Sequence, residues 1–356
     1  MFVALRDLRF AKGRFALMGA VVLLITLLVT MLSGLTAGLA RENISAITEL
    51  PADRIVFATS GDSAPSFSDS RVTDTMWREW QRVPGVSTAE RLGISMGRVA
   101  SGERGTSAAV FGVENVRDGE IVLSSGLAEE LAGEPGGKPD GNPHGEHTTV
   151  RIFGRDFTVS ATAGSASYSH APVAWISIGD WQRTAGQDAV ATVIALRTPG
   201  DPDLSGADAR LGTTTVDRDD APAAIGSYSS ENGSLQLMRG FLFAISALVI
   251  GAFFTVWTIQ RRGDVAVLKA LGASTGYLLR DALAQAVIVL LLGAGIGGAL
   301  GAGAGALAGD AVPFVLSAAT TAVPVAVMIL LGAAGAALAI RKITSVDPLT
   351  ALGASR

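Results

Sequence analysis

The chain has 356 residues, of which 49% are apolar and only 17% carry charge, and its mean hydropathy is +0.41. This composition is more apolar than that of an ordinary soluble protein and favours a membrane protein. The net charge of −4 provides no basic face for phosphate, which argues against nucleic-acid binding. The absence of cysteine excludes disulfides and thiolate ligands for zinc or heme.

Four stretches lack charged residues for long enough to cross a bilayer, which takes about 20 residues. They run from Phe15 to Ala40, Gly240 to Gln260, Ala282 to Gly309 and Ala311 to Ile340. Pro313 and Pro324 predict a short loop inside the last stretch. The basic start of the first stretch also fits a cleaved signal peptide. Its apolar run of roughly 25 residues exceeds the usual length of about 7–15, which favours a membrane anchor.

Lysine and arginine lie near the ends of these spans in an uneven pattern. They cluster in the N-terminal segment, between the second and third spans, and in the C-terminal tail. Because such residues accumulate on the cytoplasmic side, both termini are predicted to be cytoplasmic and the large middle region external. The predicted organisation is a cytoplasmic segment (1–14), transmembrane helices (15–40, 237–260, 278–308 and 323–340), an external domain (41–236), a cytoplasmic coupling segment (261–276), a short external loop (309–322) and a cytoplasmic tail (341–356).

The external domain is predicted to be mixed α/β (α+β), with a core of its own. Short β-branched runs bounded by turn residues predict strands at 54–59, 108–113, 149–154, 157–162 and 192–197. Helices are predicted over 74–82 and 124–132, with Asp74 and Ser124 as N-caps. The stretch 133–146 is dense in glycine, proline and aspartate, which predicts a surface loop.

The coupling segment contains the most specific run of residues, Gln260-Arg-Arg-Gly-Asp-Val-Ala-Val-Leu-Lys-Ala-Leu-Gly-Ala-Ser274. In chain order, this run contains a capping acid (Asp264), three apolar residues on one helical face (Val265, Leu268 and Leu271), a glycine that ends the helix (Gly272) and a second capping residue (Ser274). These residues predict a short amphipathic helix. They leave open whether it contacts a partner subunit or rests on lipid headgroups.

This segment resembles the basic–acidic–LKALGAS signature of FtsX-like permeases, the MacB-type ABC exporters. The tail Ile343-Thr-Ser-Val-Asp-Pro-Leu-Thr-Ala-Leu352 is similar to the closing I-x-x-x-D-P-x-x-A-L motif of that family. Residues 119–132 and 151–159 resemble its periplasmic core domain, and the layout of one span, a large external domain and three further spans is also similar. Asp264 departs from the family, which more often has glutamate there.

The resemblance implies a permease subunit rather than an enzyme. ATP would be hydrolysed on a partner ABC ATPase, present in two copies, and the permease would form a homodimer in the lipid membrane. The family's helix docks into that ATPase and transmits its movement, which implies a coupling role for Arg261, Arg262, Asp264, Val265, Leu268, Lys269, Leu271 and Gly272.

Four further segments resemble the heme-exporter (HrtB-type) branch and its DevC-like relatives: 5–18, 43–47, 50–53 and 168–172. This resemblance implies an HrtA-type ATPase partner and heme, taken from the membrane, as the transported substrate. Two alternatives remain open. One is export of another amphiphile, such as a lipid, lipopeptide or antibiotic, and the other is FtsX-like regulation of a cell-wall hydrolase.

A heme site needs an apolar slot and an axial ligand such as histidine, methionine or tyrosine. If the first helix continues outward, Glu42 and Glu49 lie within about 20° of the face of Met31. Tyr228 and Met238 come just before the uncharged stretch that begins at Gly240. We hypothesise that Met31 with Glu42 or Glu49 lines the heme site, with Tyr228 and Met238 as support. The methionines also fit ordinary packing or contact with lipid, and the glutamates also fit a hydrated surface.

Other suggestive residues carry weaker signals. His144, Glu146 and His147 lie in the glycine- and proline-rich stretch without further ligands, so no metal site is predicted there. His170 is an alternative heme ligand but fits a packed or surface histidine better. Gly133–Lys138 lacks the spacing of a phosphate-binding loop. Every fourth residue of the third span from Gly293 to Gly305 is glycine, which predicts a close helix contact, either fixed or sliding.

Overall fold

The computed structural model describes residues 12–59, 63–132, 149–184, 189–260, 263, 267, 271–309 and 312–344. Within these ranges the chain forms two compact units. The α/β unit comprises Ala40–Gly233, and the helical unit comprises the chain on either side of it. Each unit encloses apolar clusters of its own.

The helices of the described residues are, in chain order, α1 (Lys12–Thr48), α2 (Asp74–Trp80), α3 (Ser125–Ala132), α4 (Ile178–Thr184), α5 (Ser205–Leu211), α6 (Gly226–Gln260), α7 (Thr275–Ala308) and α8 (Ala318–Thr344). The strands are β1 (Arg54–Ala58), β2 (Thr88–Ser101), β3 (Arg104–Val113), β4 (Glu120–Leu123), β5 (Thr149–Ile152), β6 (Arg155–Thr162), β7 (Ser167–Tyr168), β8 (Ala171–Ser177), β9 (Val193–Arg197) and β10 (Thr213–Asp217).

Four of these helices, α1, α6, α7 and α8, are long and apolar enough to cross a membrane, as the sequence predicts. The first two are longer than the predicted spans, because α1 continues to Thr48 and α6 begins at Gly226. At 1.5 Å per residue, helices of 37 and 35 residues exceed the hydrocarbon thickness of about 30 Å. Both helices therefore extend from the helical unit into the α/β unit along the chain.

Helix α8 begins earlier than the sequence predicts. It starts at Ala318 rather than at residue 323, and Pro324 lies inside it rather than at its edge. Ser317 caps the first turn, since its Oγ accepts a hydrogen bond of 3.2 Å from the backbone N of Thr320. Pro324 falls in the second turn, where it removes one backbone donor, and the long apolar helix continues through it.

Helix α7 packs against α1 along its glycine face, which the sequence predicts. A Cβ atom at Gly297 would overlap the backbone carbonyl oxygen of Leu23, and one at Gly301 would lie 3.0 Å from Cβ of Thr30. Glycine is needed here because only its bare backbone allows two helices to approach so closely. The contact is made within one subunit.

The strands of the α/β unit form a continuous sheet that closes on itself. Strands β2, β3, β8, β4, β6 and β5 follow one another in hydrogen-bonded order, and β5 pairs back to β2. These strands make a small barrel, in which β3–β8 and β4–β6 are parallel pairs. Strands β9, β1 and β10 extend the sheet from the N-terminal half of β2. The long strand β2 therefore joins the barrel to the flanking sheet.

The five predicted strands all occur, as β1, β3, β5, β6 and β9, and the mixed α/β class is confirmed. Ser124 caps α3, because its Oγ accepts a hydrogen bond of 3.4 Å from the N of Leu127. The predicted cap at Asp74 is wrong. Thr73 caps α2 instead, and Asp74 is the first helical residue. The predicted loop 133–146 lies outside the described residues.

Candidate functional site

The end of the coupling segment leads directly into α7. The backbone N of Leu271 donates to the carbonyl oxygen of Val267 at 3.0 Å, and Gly272 follows with a left-handed φ of 92°. Ser274 then caps α7 by accepting a hydrogen bond of 3.3 Å from the N of Tyr277. The glycine stop and the second cap thus take the geometry that the sequence predicts.

Two apolar side chains in the described part of this segment are exposed. Val267 is 55% exposed and Leu271 is 79% exposed. Residues spaced by four lie on one helical face, so the two side chains present one apolar surface. Leu271 and Gly272 are predicted coupling residues, whereas Val267 is not part of the predicted apolar face. The remaining predicted coupling residues lie outside the described residues: Arg261, Arg262, Asp264, Val265, Leu268 and Lys269.

The two candidate methionine ligands belong to the helical unit. Met31 lies within α1 and is half-buried. Met238 lies within α6, and 57% of its surface is exposed. A thioether on an apolar helix surface is available to an apolar ligand, and it equally fits contact with lipid.

Glu42 lies in the last two turns of α1, Glu49 directly follows the end of that helix at Thr48, and both glutamates are exposed. Oε1 of Glu49 is 3.5 Å from the guanidinium of Arg41, in a solvent-exposed ion pair. Glu49 also lines a cleft of about 320 Å³ in the α/β unit, together with Leu50 and Trp175. The cleft combines one carboxylate with aromatic and aliphatic walls, which suits an amphiphilic ligand.

Tyr228 packs against the core of the α/β unit and is half-buried. It does not line the cleft beside Glu49. The neighbouring core contains Tyr168, whose pKa is raised by burial. The ring of Tyr168 makes edge contacts with Phe67 and Phe111 at centroid distances of 5.9 and 5.6 Å.

A polar cluster that the sequence does not reveal lies where α1 and α6 leave the α/β unit. The Nδ2 of Asn43, on α1, lies 3.3 Å from Oε2 of Glu231, on α6, and 3.1 Å from Nε2 of His170. The two-residue turn between β7 and β8 supplies Ser169 and His170, both with positive φ. Ser169 donates its backbone N to the carbonyl oxygen of Asn43 at 2.9 Å, and its Oγ lies 3.0 Å from Oγ of Ser227.

A second polar network lies at the barrel. Asp180 is almost fully buried, and its Oδ2 accepts a hydrogen bond of 2.7 Å from the backbone N of Gly119. Arg183 bridges Asp180 and the exposed Asp118, at 2.9 and 2.8 Å. The hydroxyl of Ser177 and the guanidinium of Arg183 lower the pKa of Asp118. These bonds fix the turn before β4 to helix α4.

Within the described ranges, no group of three or more histidine, aspartate or glutamate residues could hold a metal ion. The residues His144, Glu146 and His147 lie outside those ranges. Among the described residues, the features with functional potential are the apolar end of the coupling segment, the cleft beside Glu49 and the two helices that carry Met31 and Met238.

Comparison with known families matches both units. Residues 15–213, more than half of the chain, match the MacB-like periplasmic core domain. Residues 237–348 match the FtsX-like permease C-terminal region. The chain belongs to the MacB/FtsX family of ABC transporter permeases. It is therefore a transport subunit that spans the membrane, and its α/β unit corresponds to the periplasmic core domain of the family.

Relatives match over almost the whole chain. A protein of Staphylococcus epidermidis, provisionally named hemin transport system permease protein HrtB, is 24% identical over 99% of both chains. An uncharacterised ABC transporter permease of Mycobacterium tuberculosis is also 24% identical over 99% of both chains. The periplasmic region of MacB from Actinobacillus actinomycetemcomitans aligns with 51% of this chain and 94% of its own, at 14% identity and a TM-score of 0.36.

Proposed function

We propose that this MacB/FtsX-type permease exports heme from the membrane, as a homodimer bound to two copies of an ABC ATPase. The observation that carries the proposal is the match of HrtB relatives in two staphylococcal species to 99% of the chain. A match of that extent covers both units, so it bears on the cargo-binding parts as well as on the transport machinery. In this proposal both termini and the coupling segment are cytoplasmic.

The exposed surface of Val267 and Leu271 supports the coupling role. Burying apolar area stabilises an interface by about 25 cal/mol per Å², so two uncovered apolar side chains favour a partner. The proposal also gives coupling roles to Arg261, Arg262, Asp264 and Lys269, which lie outside the described residues. ATP-driven closure of the ATPase would pull this segment, and α6 and α7 continue from its two ends.

The proposed heme ligands combine a soft thioether with carboxylates. Met31 and Glu42 lie on one uninterrupted helix, and the backbone N of Glu49 still bonds the carbonyl oxygen of Ser45 at 3.0 Å. In the proposal, Met31 is paired with Glu42 or Glu49, whose spacing along the chain would put them near the same helical face as Met31. Methionine would serve as an axial ligand of heme iron. Tyr228 and Met238 would support the site from α6.

The cargo is tested with the complete permease–ATPase complex in lipid nanodiscs. Hemin is expected to raise the ATPase rate severalfold and to give a Soret band with the permease. Met31→Ala is expected to shift that band and to weaken hemin binding about tenfold, since it removes a coordinate bond. The matched control is Met328→Ala, because Met328 is fully buried in the helical core and has no proposed contact with heme.

Two results would contradict the proposal in different ways. If the ATPase of the complex responds to other amphiphiles and not to hemin, the cargo is such an amphiphile rather than heme. An unchanged Soret band and affinity in Met31→Ala would leave the cargo intact but remove Met31 from the site. Capture of a cell-wall hydrolase without any hemin response would favour a regulatory function instead.

A further inference from the structure

The turn between β7 and β8 consists of Ser169 and His170, which have φ angles of 52° and 60°. Turns of this type usually contain Asn-Gly, because those residues adopt a positive φ with little strain. Backbone strain persists where the surrounding structure holds it in place, and it is often found at functional sites. Here the turn contacts two helices outside the hairpin, α1 and α6, and Ser169 and His170 supply those contacts.

Buried hydrogen bonds attach this hairpin to α1. The backbone N of Ser167 donates to Oγ of Ser45 at 2.8 Å, and the backbone N of Ser169 donates to the carbonyl oxygen of Asn43 at 2.9 Å. Ser45 and Asn43 are almost completely buried. Opening these bonds would leave buried polar groups without partners, which is costly. The hairpin and the end of α1 therefore stay together.

Exposed side-chain contacts attach the same turn to α6. Oγ of Ser169 lies 3.0 Å from Oγ of Ser227, and Nε2 of His170 lies 2.8 Å from Oε2 of Glu231. The side chains of His170 and Glu231 are 36% and 34% exposed, and Ser227 is exposed. Water can replace the partner of an exposed group, so such contacts contribute little net stability. The contact with α6 can thus open while the contact with α1 remains.

The imidazole of His170 has a second partner that compensates for the loss of Glu231. Its Nε2 also lies 3.1 Å from Nδ2 of Asn43, which is a donor. In a neutral imidazole, Nε2 either carries a proton and donates to Glu231, or has a lone pair and accepts from Asn43. It cannot do both at once. The cluster therefore has two alternative hydrogen-bonding states, one with α6 attached and one with α6 released.

The first two turns of α6 (226–233) have a sequence that weakens a helix. They contain glycine at both ends and three serines, all of which form helices less readily than alanine. No described residue lies within 4 Å of a Cβ atom placed at Gly226 or Gly233, so packing does not require glycine there. Ile225, directly before the helix, is buried in the core, whereas Tyr228 is only partly buried. A movement of these two turns would therefore pivot at Gly226.

We infer that Ser169 and His170 form a releasable latch for residues 226–233, which opens during the ATP-driven cycle while α1 stays attached to the hairpin. Helix α6 runs without interruption from Gly226 to Gln260, where the coupling segment begins. A pull on that segment is thus carried along α6 to the latch. The inference rests on the coupling role in the proposed function and does not depend on which cargo is exported.

Disulfide trapping tests the latch directly, because the chain contains no cysteine. In Ser169→Cys/Ser227→Cys, two sulfur atoms replace hydroxyl oxygens that lie 3.0 Å apart, close enough for a disulfide of about 2.05 Å after a small shift. The permease–ATPase complex in nanodiscs is oxidised without nucleotide and with ATP plus vanadate. Crosslinking is expected to be extensive without nucleotide and about threefold lower with ATP plus vanadate. Equal crosslinking in the two states, or none in either, would overturn the inference.

The matched control is Thr59→Cys/Thr214→Cys, whose hydroxyl oxygens are 3.1 Å apart and join the end of β1 to β10. This pair lies within the sheet, so its crosslinking is expected to be the same in both nucleotide states. An equal fall in both pairs would also overturn the inference, because it would reflect thiol reactivity rather than release of α6. Copurification of the ATPase checks the coupling role separately, since a latch that stays closed in an intact complex leaves that role standing.

Two further measurements test the assigned partners and the need for opening. Glu231→Ala is expected to lower crosslinking of the nucleotide-free Ser169→Cys/Ser227→Cys chain severalfold. Ser229→Ala is expected to leave it unchanged, because Ser229 is exposed on the same two turns. Closing the disulfide is expected to slow ATP hydrolysis by the complex severalfold, and dithiothreitol is expected to restore it. Unchanged hydrolysis in the crosslinked complex would show that the latch need not open, which would overturn the inference.

Discussion

Nε2 of His170 lies 2.8 Å from Oε2 of Glu231, and this hydrogen bond joins the turn between β7 and β8 to the start of α6. Asn43 brings α1 into the same contact, since its Nδ2 lies 3.3 Å from the same carboxylate oxygen. Asn43 is completely buried. One carboxylate therefore accepts hydrogen bonds from two different elements, and both long helices are tied to the sheet at this point.

Replacing Asn43 by alanine is expected to lower the free energy of unfolding by about 0.5–1.5 kcal/mol, because the change removes the hydrogen bonds of a buried amide to Glu231 and His170. The measurement is thermal unfolding of the full chain in detergent. Ser227→Ala is the control, since Ser227 is exposed and water can replace its bond of 3.3 Å to Asn43. If the two variants melt alike, the cluster does not contribute to the stability of the fold.

The pKa of Asp118 predicts how one part of the α/β unit responds to acid. A hydrogen bond from Ser177 and the charge of Arg183 lower this pKa below 3.8 in the folded chain. The stability that depends on the carboxylate is therefore present above pH 3.8 and is lost as the pH falls through the lowered folded pKa.

The measurement for Asp118 compares unfolding of the wild type and Asp118→Asn from pH 7 downward. The difference between them is expected to be largest near neutral pH and to shrink in strong acid. Arg183→Gln is expected to reduce the acid dependence only in part, since the hydrogen bond from Ser177 remains at 2.5 Å. A difference that grows as the pH falls would contradict the direction of the pKa shift.

The long apolar helices were predictable because each contains an uncharged run long enough to cross a bilayer. The ends of α1 and α6 that lie in the α/β unit were not predictable, because these helices continue through polar residues, as α1 does through Glu42 and Asn43. The start of α8 was missed for a related reason. Pro324 suggests a boundary, but a proline in the second turn of a long apolar helix costs less than the burial of that helix gains.

Strand β2 was missed because it contains Gly93 and Gly97, which weaken a strand signal. The structure explains why residue 93 is glycine, since the ring of Trp181 lies where a Cβ atom would be. The pairing of His170 with Glu231 joins residues far apart in the chain, so no local pattern reveals it. The turn formed by Ser169 and His170 also lacks the Asn-Gly signature of a two-residue hairpin loop, although both of its residues have positive φ.

The exposed surface of the coupling segment predicts a loss of ATPase binding when it is made polar. Leu271→Asp is expected to reduce the ATPase that purifies with the permease at least tenfold, which corresponds to about 1.4 kcal/mol. Met96→Asp is the matched control, because Met96 is a half-exposed apolar residue in the α/β unit. Normal ATPase capture by Leu271→Asp, combined with weaker attachment of the segment to lipid, would favour the interfacial interpretation.

The contact between α1 and α7 predicts opposite outcomes for two glycines of the same helix. Gly297→Ala places a methyl group against the carbonyl oxygen of Leu23, a backbone atom that can move only with its helix. The change is expected to destabilise the helical unit by about 1–3 kcal/mol, as overpacking does. At Gly303 nothing lies within 4 Å, so alanine meets no neighbour and gains up to about 1 kcal/mol of helix propensity. Thermal unfolding of both variants in detergent measures the difference. Equal stability of the two would show that α1 and α7 are not in close contact.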